Sequence, residues 1–272
     1  MRLVDFRDHA VMLPVLFEIG NFKLHSYGVL VLIGFLGGLW VARARAPRFG
    51  IDPKQLTDSA FWALLWGVLG ARVFYIAQSL PYYLENTDEL FQLQFQGLTS
   101  FGGVVGGFLY FWWFAKRRKV PMRALFDTLA PGLLVGFAVG RVGCFLNGCC
   151  YGGACEAWYC IPVQGQELRF HPAQLYDSAF NLVGLGLLLV WEKRGLFLGQ
   201  VTGLAVAFNG VARFVYEFWR MGSVEEVRAG LRTSTTMAGL PITEAQVVAL
   251  AMVAIGAVVF GLAYRDRRLP GS

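Results

Sequence analysis

Apolar residues in this chain gather into seven stretches, at about 27–44, 59–78, 101–115, 124–143, 173–191, 197–218 and 244–264. Short polar, basic or glycine-containing segments separate them. A stretch of ~20 mostly apolar residues is long enough to cross a hydrocarbon layer of ~30 Å. Backbone groups in that layer find no water, so segments of this length are expected to be helices. The third stretch is short and the fourth opens on a polar turn, which leaves their ends loosely defined. The pattern predicts an all-α, polytopic membrane bundle of about seven transmembrane helices. No composition break, repeat or low-complexity segment divides the chain, so one integral membrane domain is expected over 1–272. Loops at about 79–100, 144–171 and 219–243 fall on one side of it.

Polar residues interrupt the apolar pattern at a few places, and those places carry the candidate chemistry. Gly132, Gly136 and Gly140 recur every four residues and should form one bare face where another helix can approach closely. They lead into Arg141. An ionised group at membrane depth usually faces a protein interior or a wet cavity, so Arg141 is a candidate for holding an anion. The sixth stretch carries Asn209, Arg213, Glu217 and Arg220 within one quadrant of a helix. An Arg213–Glu217 pair alone would only fix helix packing. Two arginines against one carboxylate leave surplus positive charge, which suits an anionic ligand.

The fifth stretch follows Pro172, a good first-turn residue, and carries Gln174, Asp177 and Asn181 on one face. Interhelical hydrogen bonding is the expectation for Asn181. For Gln174 and Asp177 both a structural and a site role stay open. Arg72, one turn before Tyr75, calls for a partner that the sequence does not name. His25 and Tyr27 fall where the first stretch meets the interface, and anchoring is the default for His25. Gly102, Gly103, Gly106 and Gly107 mark either close helix contact or irregular backbone lining a cavity.

Composition agrees with the pattern: the 272 residues are 56% hydrophobic and 15% aromatic, with a mean hydropathy of +0.51. The net charge of +6 is unevenly placed. Fourteen of the twenty-four basic residues lie on one side of the predicted bundle, among them Arg43, Lys54, Lys116, Arg123, Lys193 and Arg265, against seven on the other. The positive-inside rule then puts the amino terminus outside and the carboxyl terminus in the cytoplasm. This bias accounts for the charge without nucleic acid. The amino terminus has no basic start followed by an apolar core and a cleavage site, so no cleaved signal peptide is expected.

All five cysteines, Cys144, Cys149, Cys150, Cys155 and Cys160, fall in one short outer region. One or two disulfides stapling an outer loop, or a redox-active pair, are the readings left open, and an odd count leaves at least one thiol unpaired. Their spacing is not that of common zinc ligands, so no metal site is expected.

Five segments taken in order resemble the prolipoprotein diacylglyceryl transferase family over nearly the whole chain. His25-Ser26-Tyr27-Gly28 is similar to that family's His-x-Tyr-Gly start, and Asp127-Thr128-Leu129-Ala130-Pro131 to its Asp-x-x-Ala-Pro turn. The family signature Gly-Arg-x-Gly-Asn-Phe-x-Asn-x-Glu-x-x-Gly is matched at Gly140, Arg141, Gly143, Phe145, Asn147 and Gly152. His171-Pro172-Ala173-Gln174-Leu175-Tyr176 and the Arg213, Glu217, Phe218 and Arg220 segment complete the likeness.

The resemblance implies transfer of the diacylglyceryl group of phosphatidylglycerol to the lipobox cysteine of a prolipoprotein, with release of glycerol 1-phosphate and no cofactor. It implies a multi-pass protein of the bacterial inner membrane with its site facing the outer leaflet. Its partners would be phosphatidylglycerol, a prolipoprotein signal peptide and membrane lipids. By resemblance Arg141 and Arg213 hold the lipid phosphate, while Tyr27 and Asn147 orient the headgroup. Glu217 orients Arg213, and Gly152 permits close backbone approach. Arg220, Gly102, Gly103, His171 and Gln174 complete the implied site.

Three positions depart from the family. Its His before Gly102-Gly103 is Phe101 here, its signature Asn is Cys144, and its signature Glu is Cys149. A phenyl ring takes no proton, so His25, His171, Glu217 or interfacial water must do so instead. Glu217 beside arginine is a poor base. Besides a working transferase, two other readings stand: a phospholipid-binding relative without turnover, and a thiol-redox membrane protein.

Overall fold

A computed structural model of the chain describes residues 12–19, 22–85, 99–163, 167–222, 234–236 and 242–266. Strands β1 (Val15–Ile19) and β2 (Phe22–His25) form an antiparallel hairpin leading into helix α1 (Ser26–Arg45). A 3-10 turn, Ala46–Phe49, precedes α2 (Pro53–Gln78) and the short α3 (Leu80–Glu85). Then come α4 (Ser100–Arg118) and α5 (Met122–Leu146). The antiparallel pair β3 (Ile161–Pro162) and β4 (Arg169–Phe170) precedes α6 (Ala173–Glu192) and α7 (Gln200–Glu217). The parallel pair β5 (Met221–Gly222) and β6 (Ser234–Thr235) leads to α8 (Glu244–Asp266).

Among the described residues, the seven helices of eighteen residues or more occupy the seven predicted apolar stretches. Five are long and apolar enough to cross a membrane: Ser26–Phe49, Pro53–Gln78, Met122–Leu146, Ala173–Glu192 and Glu244–Arg265. That is two fewer than expected. Tyr110, Trp112, Trp113 and the basic end of α4 reduce its apolarity, as Gln200, Asn209, Arg213 and Glu217 do for α7. Large apolar side chains such as Trp40, Leu69, Phe137, Val183 and Val258 point outward, the inverse of a water-soluble surface. The predicted loop at 79–100 contains α3, while 86–98 and most of 219–243 lie outside the described residues.

The helices pack as two compact units, Arg43–Thr128 and Met1–Ala42 with Leu129–Ser272. Within the first, α2 and α4 cross backbone to backbone. A Cβ on Gly70, Gly102 or Gly106 would meet the other helix's backbone at 3.0 Å or less. This close crossing accounts for Gly102, with Gly103 beside it facing Gly67 and Ala71. The Thr99 N–H and hydroxyl both donate to the Ala71 carbonyl at 3.2 Å, fixing the start of α4. The buried Arg45 donates from Nη2 to the Asp127 carbonyl (3.0 Å), tying the end of α1 to the start of α5. Arg72 lies over the Tyr75 and Tyr83 rings, 6.0 and 5.6 Å from their centroids, which answers the question of its surroundings.

Within the second unit, the predicted glycine face of α5 meets α1. Gly132 lies against Gly38 and Gly136 against Gly34, while a Cβ on Gly140 would meet nothing within 4 Å. Helix α7 packs on α8 through Gly203, Gly210 and Gly256 in the same way. Ala130, Leu134, Leu188, Val201 and Ala205 form a core joining α5, α6 and α7. Asn181 does not tie helices together as expected. Its Nδ2 donates to the Asp177 carbonyl (2.8 Å) and to Asp177 Oδ1 (3.1 Å), one turn back on its own helix. The interhelical bond comes from Ser178, whose hydroxyl donates to the Ala138 carbonyl at 2.9 Å.

Candidate functional site

The site is built on the ends of α5, α6 and α7. Arg141, four residues beyond Phe137 on α5, reaches α6, where its Nε lies 2.7 Å from Asp177 Oδ2. The Asn181 amide holds the other carboxylate oxygen, so Asp177 presents one fixed acceptor to one side of the guanidinium. A pair made through Nε leaves the Nη1–Nη2 edge aimed elsewhere, the edge suited to two oxygens of a second anion.

Helix α7 supplies two more guanidinium groups around one ring. Tyr216 is fully buried, with the Cζ atoms of Arg213, Arg220 and Arg141 lying 4.9, 5.4 and 5.9 Å from its centroid. Spacings of three and four residues put Arg213, Tyr216 and Arg220 on one side of the chain as α7 ends. Glu217, also fully buried, is shared between Arg213 Nη2 at 3.9 Å and Arg220 Nη1 at 3.8 Å. Ser234 Oγ donates to its other oxygen, Oε1. Both Arg–Glu separations exceed hydrogen-bond range, so these two contacts act through charge alone.

Among the described residues, three guanidinium groups here face two carboxylates, an excess of one positive charge. Arg213 Nη1 and the Tyr216 hydroxyl are buried and have no hydrogen-bond partner among the described residues. Buried donors rarely stay unsatisfied, and two beside surplus positive charge suit the oxygens of an anion.

The end of α5 brings three thiols beside this cluster. Gly148 adopts a left-handed conformation (φ 71°), its N–H donates to the Phe145 carbonyl (3.1 Å), and the Cys149 N–H reaches the Cys144 carbonyl (3.2 Å). These are the two bonds of a Schellman motif, which sets the side chains at Cys144 and Cys149 against each other. Cys150 also has positive φ (67°), and its Sγ is 3.4 Å from that of Cys149. The three Sγ atoms all lie within 4.8 Å of one another. None of the three is in a disulfide; the one disulfide among the described residues is Cys155–Cys160, within the expected outer loop. Hydrogen bonding with the Cys144 and Cys149 thiols holds the Cys150 thiol well below the usual value, helped by the charges of Arg141 and Arg220 and opposed by burial.

Other predicted site residues support the cluster. Gln174 Nε2 donates to the Cys149 carbonyl at 2.6 Å. Tyr27, partly exposed, packs on the Gly143 side of α5 within electrostatic reach of the three thiols and Arg141. Asn147 closes the last turn of α5, its N–H donating to the Gly143 carbonyl. Gly152 serves packing: its N–H donates to the His171 carbonyl (2.9 Å), and a Cβ there would meet the Trp219 carbonyl at 2.7 Å. Gly153 donates to that same Trp219 carbonyl, so the loop after α5 is stitched to the end of α7.

His171 Nδ1 is 3.2 Å from the Tyr176 hydroxyl. His25 ends β2 and is exposed. Gly102, Gly103 and the backbone of Phe101 belong to the other unit. Tyr216 and the thiol cluster go beyond what the sequence alone singles out. A tyrosine three residues after one arginine and four before another was the available signal for the first. The Leu146-Asn147-Gly148 helix stop, with cysteines flanking it five apart, was the signal for the second.

The model for prolipoprotein diacylglyceryl transferase matches residues 14–262. A phosphatidylglycerol–prolipoprotein diacylglyceryl transferase of Pseudomonas paraeruginosa is 34% identical over 260 residues, covering 93% of this chain and 94% of that protein. Proteins of the same name from Ectopseudomonas mendocina (30% identical, 95% and 97% covered) and Clostridium tetani (26% identical, 92% and 98% covered) are similar over comparable lengths. The chain belongs to the prolipoprotein diacylglyceryl transferase family.

Proposed function

We propose that this protein transfers the diacylglyceryl group of phosphatidylglycerol to the cysteine thiol of a prolipoprotein, releasing glycerol 1-phosphate. The observation that carries the reading is the convergence of Arg141, Arg213 and Arg220 on Tyr216. When the carbon–oxygen bond of the lipid breaks, the phosphate gains a second negative charge, and fixed guanidinium groups stabilise charge where it develops. Arg141, clamped by Asp177, takes the phosphate through its Nη edge, with Arg213 and the Tyr216 hydroxyl as further donors. Tyr27 and Asn147 orient the glycerol headgroup, and Gln174 fixes the loop that carries Cys149.

All seven long helices cross the bacterial inner membrane in this reading, α4 and α7 included, because the polar faces of α7 turn into the protein. The amino terminus lies outside and the carboxyl terminus in the cytoplasm. The fourteen basic residues on one side support that orientation, and the site then opens to the outer leaflet. The test is transfer of a labelled diacylglyceryl group from phosphatidylglycerol to a lipobox peptide by the purified protein, together with rescue of cells depleted of their own transferase. Arg141→Lys should insert normally and lose most transfer, since a point charge lacks the planar fork. Wild-type transfer by that variant would remove the phosphate assignment. A second reading, phospholipid binding without turnover, is favoured by Phe101 at the family's His position; binding of phosphatidylglycerol with no thioether product would establish it.

A further inference from the structure

We propose that Cys144, Cys149 and Cys150 form a trithiolate zinc site whose fourth position receives the acceptor thiol, an inference that rests on the transferase reading above. Zinc bound by sulfur at about 2.3 Å in a tetrahedron sets its ligand atoms about 3.8 Å apart. The three Sγ atoms lie within 4.8 Å of one another, with Cys149 and Cys150 at 3.4 Å, so small rotamer changes suffice. The backbone already holds this arrangement. The helix-ending turn at Gly148 pairs Cys144 with Cys149, the left-handed conformation at Cys150 brings in the third sulfur, and Gln174 pins the Cys149 carbonyl.

Three protein ligands with one open position is the arrangement of zinc sites that act on a substrate, whereas four closed ligands make a structural site. Three thiolates leave a zinc complex with one net negative charge. The guanidinium group of Arg141, three residues before Cys144 on α5, offsets that charge. Arg141 also stands one turn before Cys144 on the same face of α5, so the metal and the phosphate clamp share one opening.

The site activates the acceptor thiol without the family's His. The acceptor thiol must become a thiolate, and Phe101 stands where the family has its His. A thiol that coordinates zinc is deprotonated outright. The acceptor sulfur binds the fourth position and its proton passes to interfacial water. The bound thiolate attacks the glyceryl carbon carrying the phosphate ester, forming the carbon–sulfur bond. The carbon–oxygen bond breaks and its electron pair leaves on the phosphate oxygen, facing the arginines. The neutral thioether is a weaker ligand than thiolate and leaves the metal.

The experiment uses the full chain in detergent or nanodiscs, reduced and stripped of metal. Titration with Zn(II) against a chromophoric chelator should show one equivalent bound. Each of Cys144→Ser, Cys149→Ser and Cys150→Ser should weaken binding about tenfold or more, the scale reached by losing even an outer-shell partner. Zinc should also protect these three cysteines of the unaltered protein from alkylation, read by mass spectrometry, which requires no variant to fold. With Co(II) as probe, the thiolate charge-transfer band should grow on adding a cysteine-containing lipobox peptide and stay unchanged with its serine counterpart. Absence of stoichiometric zinc, binding that ignores all three substitutions, a Co(II) spectrum blind to the peptide thiol, or full transfer by zinc-free protein would each overturn the proposal; the last leaves the transferase reading standing. Zinc binding with the peptide response but no transfer at any loading would instead remove the transferase reading, and the acceptor step with it.

Discussion

Arg141 and Asp177 meet through a single short contact, Nε to Oδ2 at 2.7 Å, across the packed ends of α5 and α6. The carboxylate is buried and braced by Asn181, so it sets the direction in which the guanidinium faces. Asp177→Asn keeps the shape and removes the charge. A charge-assisted hydrogen bond is worth about 1.5–3 kcal/mol, so kcat/KM for phosphatidylglycerol should fall about 10- to 100-fold. Transfer kinetics on the purified variant check this, and an unchanged kcat/KM would make Asp177 a structural residue only.

Tyr216→Phe separates ligand binding from folding. The hydroxyl is buried without a partner among the described residues, so its removal leaves the folded protein no less stable. The ring that the three guanidinium groups surround is kept. Affinity for phosphatidylglycerol should drop about fivefold, near the value of one net hydrogen bond, while the Tm holds or rises. A fall in Tm with unchanged affinity would show that the hydroxyl serves the fold.

Glycines on α5 should respond in opposite ways. A Cβ at Gly132 runs into the Gly38 backbone, and a longer side chain must push α1 away. Gly132→Leu should cost about 1–3 kcal/mol or more, the range of overpacked cores, and lower the Tm in detergent. Gly140→Ala meets open space and adds helix propensity, so it should be neutral or slightly stabilising. Thermal unfolding of the two variants side by side tests both signs.

The Cys155–Cys160 bond closes a short loop between the thiol cluster and β4. Chain-entropy arguments put such a small loop at about 2 kcal/mol. The double serine variant should therefore fold and bind phospholipid with a Tm a few degrees lower, seen by calorimetry. Loss of folding altogether would assign the disulfide a larger role than its loop length explains.

Much of this protein follows from the order of its residues. Apolar length marks all seven long helices, because a helix of this kind depends on local composition and not on what it touches. The glycine repeat on α5 announces a close crossing, and the motifs around Arg141 and Arg213 announce the family. What periodicity alone does not supply is the partner across space. That Gly132 finds Gly38, that Arg72 lies over Tyr75 and Tyr83, and that Asn181 turns back to Asp177 instead of reaching another helix depend on which faces meet. The same holds at the site. Residues 141, 177 and 216 are far apart along the chain, and their meeting requires α5, α6 and α7 to end at one place. Cys144, Cys149 and Cys150 looked badly spaced for a shared ligand, until a helix-ending turn at Gly148 folded five residues back and set three sulfur atoms together. Composition acts one segment at a time, whereas a binding site is a property of several segments packed against one another.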